Sequence, residues 1–414
     1  MLHRRPQDLR PPAWRWGLKA LGALGPGLIG LVADNDAGGM TSYLLTGARH
    51  QLGLFLPALV LLGILTVFIQ DMALRVGLAT GRPFARVVTD RFGAGPARCL
   101  ALGMHALNIL VLATELSGMA MALNLVGIPF GPAVGAALLL VLALVSLSRY
   151  RTLERALLVV GGLNLAFLGS WAALSPSAHR VDPLRWAPPA GGTVFYLLAL
   201  AGNAVCPWMV YWQQNAVVAR GMRAWELRRG RVDLAAGVLA QLAMATAVLL
   251  LGAHLAGSPA GAYNPLDWLA RQAGRASALW FALGVFDAGW LAAVTISLSS
   301  DWMLAEAFRG RAPGLLRRPR PAGHRLWWRR PGIRRFLALA LAAGLVLGPG
   351  WTQGFLAVLT QALSAVLMPL TLLFLGRIAD EAGRGPLANA RWARRLWPAV
   401  AVLFFGLAAA AWIF

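Results

Sequence analysis

Asp34 and Asp36 stand two residues apart in LGPGLIGLVADNDAGGMTSY (24–43), with Gly38 and Gly39 just beyond Ala37, in an otherwise apolar stretch. A carboxylate beside glycines that loosen the helical backbone offers a cation both its charge and unpaired carbonyl oxygens. A second stretch, LALAGNAVCPWMVYWQQNAVV (198–218), sets Gly202, Asn203, Cys206 and Pro207 in the middle of another apolar run. Proline removes a backbone donor and disrupts the preceding turn, and Asn203 and Cys206 offer ligands. No nucleophile and base pair, phosphate loop or Cys/His cluster accompanies them. The chemistry on offer is ion handling, not enzymatic catalysis.

The elements that must position these residues are membrane helices. The 414 residues are 58% hydrophobic and only 13% charged, and the mean hydropathy is +0.63, well outside the soluble norm. Apolar runs of bilayer-spanning length fall near 22–48, 54–74, 99–126, 131–148, 153–174, 192–216, 233–256, 275–308, 333–350, 354–376 and 394–413. The chain is therefore expected to be an all-α polytopic membrane protein with about eleven spans. Carboxylates inside a span are costly and rarely face lipid, so Asp34 and Asp36 must face something polar. Irregular backbone at that depth is tolerated only around a buried site or a watery cavity. The two broken spans lie five apart, as an inverted-repeat transporter requires. The expected organisation is a basic N-terminus (1–21), a first five-helix half (22–174), a second (192–376) and an appended eleventh span (394–414).

The net charge of +22 reads as topology, and not as a nucleic-acid surface. Arg4, Arg5, Arg10, Arg15 and Lys19 precede the first span, and alternate loops after it are rich in Arg, through 309–335 to 377–395. The opposite loops carry only Arg49, Arg180, Arg185, Arg271 and Arg275. The positive-inside bias predicts a multi-pass protein of a prokaryotic plasma membrane, N-terminus cytoplasmic and, with an odd span count, C-terminus outside. No signal peptide is expected. The loop 309–333, with Trp327 and Trp328, reads as a solvated cytoplasmic linker. Cys99 and Cys206 sit in or beside separate spans and form no disulfide framework.

The first stretch resembles helix 1 of the NRAMP family of divalent metal transporters, whose motif is Asp-Pro-Gly-Asn, and AGNAVCPWMVYW resembles helix 6, whose motif centres on Met-Pro-His. The likeness continues through ATELSGMAMALNLVGIP (113–129), SLSSDWMLAEAF (297–308) and TQALSAVLMP (360–369). It implies the LeuT-type fold of five plus five inverted helices with helices 1 and 6 broken, a divalent metal ion as substrate, and no cofactor. It aligns Asp36 with the metal-binding aspartate, Cys206 with the metal-binding methionine, and Asn203 with a neighbouring carbonyl donor. Gly39 stands where the ligand Asn would be and Ala37 where the Pro would be. Trp208 replaces the His. Glu115 keeps the first acid of an Asp-Leu-Ala-Glu pattern, but its second acid is Gly118.

These departures look like the NRAMP-related magnesium transporter branch. Mg²⁺ keeps several waters and takes one or two carboxylates, a preference that the loss of side chain at Gly39, widening the pocket, suits. Losing the methionine weakens the attraction for softer metals. Cys206 is open to two readings: a neutral buried thiol, or a thiolate that holds Mn²⁺, Zn²⁺ or Cd²⁺. The His and Glu positions serve proton movement in ordinary members, so their absence implies Mg²⁺ import, with Mn²⁺ also carried, uncoupled from protons. A divalent ion crossing about 100 mV gains roughly 4.6 kcal/mol without any proton.

The alternatives are an ordinary proton-coupled Mn²⁺/Fe²⁺ importer and a sodium-coupled organic-solute symporter of the same fold. Two aspartates in the first break count against the latter. Asp34 is expected at the vestibule, and Gln213, Gln214 and Gln361 around the ion. Asp287 and Asp301 either line the route or close hydrogen bonds between helices. Glu115 and Trp208 are the other route candidates. His50, His105 and His254 read as structural. A monomer in the bilayer, without nucleic-acid partners, is the expected state.

Overall fold

The computed structural model describes residues 25–49, 52–146, 150–174, 192–255, 264–308, 331–348 and 353–413. The basic N-terminus, Arg180, Arg185, His50 and the loop from 309 to 330, with Trp327 and Trp328, lie outside the described residues. Every regular element among those described is helical. Span 1 is two half-helices, α1 (Pro26–Ala33) and α2 (Ala37–Arg49). There follow α3 (Leu52–Thr80), a short α4 (Phe84–Phe92), α5 (Ala94–Leu125) and α6 (Phe130–Val145). Span 5 joins α7 (Tyr150–Val160), the 3₁₀ turn Gly161–Leu165 and α8 (Ala166–Ala172).

The second half repeats the plan. Span 6 is broken into α9 (Thr193–Ala204) and α10 (Pro207–Arg220), followed by α11 (Leu227–Ala253), a short α12 (Pro265–Ala273), α13 (Arg275–Ala307), α14 (Pro331–Leu347) and α15 (Gln353–Ala382). The last helix is α16 (Arg391–Ile413). Eight helical segments are long and apolar enough to cross a bilayer; broken span 1, α6 and α14 complete the expected eleven.

The short helices α4 and α12 were not legible as elements, being too short for the apolar-run criterion. They give the clearest sign of the repeat. Each has 9 residues and lies between the second and third spans of its half. Each ends at a glycine with positive φ, Gly93 at 92° and Gly274 at 93°, directly before the next long helix. Only glycine takes that backbone without strain.

Of the eight, spans 6 and 8 are the most enclosed, with 83% of each apolar window buried, against 28% for span 5, and all but three residues of the two half-helices of span 1 are buried. The two broken spans thus stand at the centre, walled by α5, α11, α13 and α15. Helix ends inside the protein need partners, and here these come from far along the chain. Pro26 opens α1, whose N-terminal amides of Gly25, Gly27 and Leu28 donate to the Asp233 carboxylate at 2.8, 2.7 and 3.2 Å. At the end of α9 the Ala204 carbonyl accepts from Thr66 Oγ1 at 2.7 Å. Trp212 Nε1 of α10 donates to the Pro26 carbonyl at 3.0 Å, tying one broken span to the other.

Candidate metal site

The break in span 1 is Asp34–Asn35–Asp36. Helix α1 ends with the Asp34 amide on the Gly30 carbonyl (3.0 Å), and α2 begins with the Met40 amide on the Asp36 carbonyl (2.9 Å). Asp36 caps α2 through its side chain, Oδ1 accepting from the Gly39 amide, as N-cap carboxylates do. Glu115 of α5 adds a second cap, Oε2 accepting from the Ala37 amide at 2.8 Å. Gln361 of α15 donates Nε2 to Asp36 Oδ1 at 3.1 Å, and its Oε1 lies 3.9 Å from Cys206 Sγ. Gln361 therefore brings the two broken spans to one point. A cation held by Asp36 would take Oε1 of that amide instead, which rotation about χ3 supplies.

Asn203 joins them in a way the sequence did not disclose. A Cβ built on Gly39 would stand 1.9 Å from Asn203 Oδ1 and 2.5 Å from its Cγ. The amide of Asn203 therefore fills the space that a side chain at position 39 would take. This corrects the expectation that Gly39 widens the pocket. Neither polar atom of the Asn203 side chain has a hydrogen-bond partner in the protein, although the residue is fully buried. Backbone packing fixes it there: a Cβ on the adjacent Gly202 would stand 1.8 Å from the Gln361 carbonyl, so α9 and α15 touch at the site.

Cys206 Sγ lies 3.0 Å from the Gly202 carbonyl oxygen, a contact that a thiol makes as donor and a thiolate would avoid. Among the described residues no three His, Cys, Asp or Glu side chains form a metal-holding group. The groups around Asp36 are the carboxylates of Glu115 and Asp34, the amide of Gln361 and the sulfur of Cys206. Asp34, Asp36, Glu115, Asn203, Cys206, Trp208 and Gln361 are none of them more than 1% exposed, so the site is closed to both sides.

The structure moves Asp34 from the expected vestibule into the interior. Its Oδ2 accepts from Gln241 Nε2 of α11 at 2.5 Å, and the carboxylate also meets the Cys206 side chain, so it lies between the two broken spans and span 7 and not at the surface. Trp208 is buried with its Nε1 unpartnered. A Cβ on Gly118 would stand 2.4 Å from Ala37 Cβ, so Ala37 occupies the room an acid there would need. Gln214 is directed elsewhere, donating to the Arg82 carbonyl at 2.9 Å.

Among the described residues the two acids of span 8 make no hydrogen bond with Asp36. Asp301 is clamped by Arg334 and Arg335 of α14, at 2.5 and 2.9 Å, and Asp287 accepts from Asn164 of the span 5 turn at 2.7 Å. Of the histidines, His105 bonds Ser300 Oγ and His254 the Leu250 carbonyl, each at 2.6 Å.

The comparisons with known proteins agree with this geometry. The family model described as "Natural resistance-associated macrophage protein-like" (Nramp) matches residues 27–413. The chain is 27% identical over 417 residues to the divalent metal cation transporter MntH 1 of Pseudomonas aeruginosa, covering 94% of this chain and 89% of that protein. Among solved structures, the manganese transporter of Eremococcus coleocola superposes with a TM-score of 0.77 at 18% identity, covering 96% of this chain and 87% of that one. A nucleobase-cation-symport-1 family transporter shares the fold at a TM-score of 0.56 and 12% identity, covering 94% and 91%. With a polytopic five-plus-five helical fold, both central helices broken and a match that runs from the first half-helix to the last span, this chain belongs to the Nramp family of transporters.

Proposed function

We propose that the protein carries divalent metal cations across a prokaryotic plasma membrane by alternating access, favouring Mg²⁺, also carrying Mn²⁺, and moving no proton with the metal. The observation that carries this reading is the Asn203 amide in the space left at Gly39, the residue whose backbone amide donates to Asp36. It exchanges an amide from span 1 for one from span 6, while the sulfur at Cys206 is engaged by the Gly202 carbonyl. Asp36, Asn203 and Gln361 then provide one charge and neutral oxygens, the hard, sparse donor set that leaves Mg²⁺ part of its hydration shell. Asp34 adds a second negative charge behind the first.

Proton movement needs titratable groups in line. Trp208 and Gly118 supply none, and Glu115 is held as a cap on α2. In the proposed cycle the halves 22–174 and 192–376 alternately expose the site. The inner closure is Trp212 on Pro26 and Asp233 on α1, with the basic N-terminus (1–21) cytoplasmic, span 11 (394–414) ending outside and the transporter a monomer. A pH-sensitive dye trapped in proteoliposomes tests the coupling: metal influx driven by an inside-negative potential should acidify the lumen no more than protein-free controls. Metal-dependent acidification that scales with protein content would favour the second reading, a proton-coupled Mn²⁺/Fe²⁺ importer. The names of its relatives, a divalent metal cation transporter and a manganese transporter, support that reading, as does a sulfur at position 206.

A further inference from the structure

A cavity of about 200 Å³ lies between α1, span 5, α11 and α13. Leu28, Val32, Leu157, Met244 and Leu291 make most of its wall apolar, and no charged side chain lines it. Two neutral amides form its polar corner. Asn35, 1% exposed, stands in the break of span 1 and has no hydrogen-bond partner on either side-chain atom. Asn164, in the span 5 turn, donates Nδ2 to Asp287 at 2.7 Å and leaves its Oδ1 unpartnered. The mouth lies at the same turn. Gly162 and Leu165 line the cavity and are exposed, and a Cβ on Gly162 would meet nothing within 4 Å. The surface around it is that of apolar spans, with Leu163, Leu165 and Leu239 exposed by 50%, 60% and 69%. The cavity therefore opens sideways into the bilayer core and not to water.

A buried amide without partners is costly. Water is a poor answer to it here, because a cavity walled by leucines stays dry. A lipid acyl chain would fill the apolar part but bring a methyl group against Asn35. Both parts are satisfied by a neutral molecule with an apolar body and one end that donates and accepts hydrogen bonds, the usual make-up of a small-molecule site. A cavity of about 150 Å³ holds benzene, so this one has room for about 6–10 non-hydrogen atoms. We propose that the cavity binds a small, neutral amphiphile dissolved in the membrane, its apolar body on Leu28, Leu157 and Met244 and its hydroxyl-like end on the Asn35 amide and Asn164 Oδ1. The occupant lies between α1 and the span 5 turn. It therefore braces α1 in the closed arrangement and slows the transport cycle without entering the metal site.

The probe is n-octanol, used in a photoactivatable diazirine form to map its position. Purified protein is irradiated with it, and the labelled peptides are identified by mass spectrometry. Saturable labelling is expected within 157–165 and 240–244, displaced by unlabelled n-octanol and not by n-octane at the same mole fraction in detergent. Asn35→Leu keeps the volume, removes the polar partner and should weaken binding by about 3- to 10-fold, the loss of one neutral hydrogen bond. Ala240→Phe sets a ring at the cavity wall and should abolish labelling. In proteoliposomes n-octanol should lower the maximal rate of metal uptake with KM unchanged. Ala240→Phe should no longer respond, which separates the site from a general effect on the bilayer. The proposal is overturned if neither segment is labelled saturably, if n-octane displaces the label as well as n-octanol does (an acyl chain then being the occupant), if both variants bind as wild type does, or if uptake by Ala240→Phe stays equally sensitive. Should one variant fail to fold, the other decides the binding. The labelling is independent of which metal is transported.

Discussion

Replacing Gly39 with Ala would place a methyl carbon 1.9 Å from Asn203 Oδ1 and 2.6 Å from its Nδ2. The amide must then leave its position by more than an ångström. Overpacking of this kind costs about 1–3 kcal/mol, partly offset by the ~0.5–1 kcal/mol that Ala gains over Gly in a helix. Asn203→Ala removes the amide oxygen proposed to face the bound cation, a loss of about 1.5–3 kcal/mol for an interaction with a charged group, or ~10- to 150-fold in apparent metal affinity. In the double variant nothing is left to clash. Its stability should return close to that of Asn203→Ala alone, giving a coupling of about 1–3 kcal/mol in the double-mutant cycle. Thermal unfolding of the four purified proteins measures the cycle, and Mg²⁺ uptake in proteoliposomes measures the function. A companion swap, Gly39→Asn with Asn203→Gly, returns the amide to span 1 and should recover uptake that either single change loses. If Gly39→Ala costs as much stability with Asn203→Ala as with Asn203 intact, the two residues do not compete for one space and the assignment of Asn203 to the site fails.

Asp36→Ala should abolish metal uptake without unfolding the protein, whereas Asp34→Ala should weaken apparent affinity and leave some turnover, since Asp34 is held by Gln241 behind the break; equal and complete loss in both, read by radiolabelled uptake, would show the roles wrongly divided. Asp301→Ala leaves Arg334 and Arg335 without their shared acceptor, and breaking such a buried arrangement should cost about 3–5 kcal/mol in a denaturant or thermal titration. Uptake per folded molecule should persist, and its disappearance in stably folded protein would place Asp301 on the route.

The breaks in spans 1 and 6 were legible because they are local: aspartates with adjacent glycines, and Gly202–Asn203 before Pro207, contradict the apolar run around them wherever the chain goes. The spans were legible for the same reason, although α3 continues to Thr80 and α15 to Ala382, beyond the most apolar windows. What the residues could not disclose is complementarity across space. Gly39 read as an empty position, because the side chain that fills it belongs to Asn203, 164 residues later in the chain. Asp34 read as a vestibule residue because nothing near it in sequence predicts Gln241. Asp301 left two roles open until Arg334 and Arg335, at the end of a loop read as solvated, were found folded back onto it from the start of α14. The repeat itself, invisible as internal identity, emerged from the matched positions of α4 with Gly93 and α12 with Gly274.

Competition between Mg²⁺ and Mn²⁺ in proteoliposomes tests the magnesium preference most directly. With Asp36, Asn203 and Gln361 as the donors and Cys206 Sγ on the Gly202 carbonyl, Mg²⁺ at millimolar concentration should enter in proportion to protein content and suppress Mn²⁺ uptake. Mn²⁺ influx that is unchanged by about a hundredfold excess of Mg²⁺, a margin of ~2.7 kcal/mol, would contradict the account and return the protein to the manganese importers it resembles.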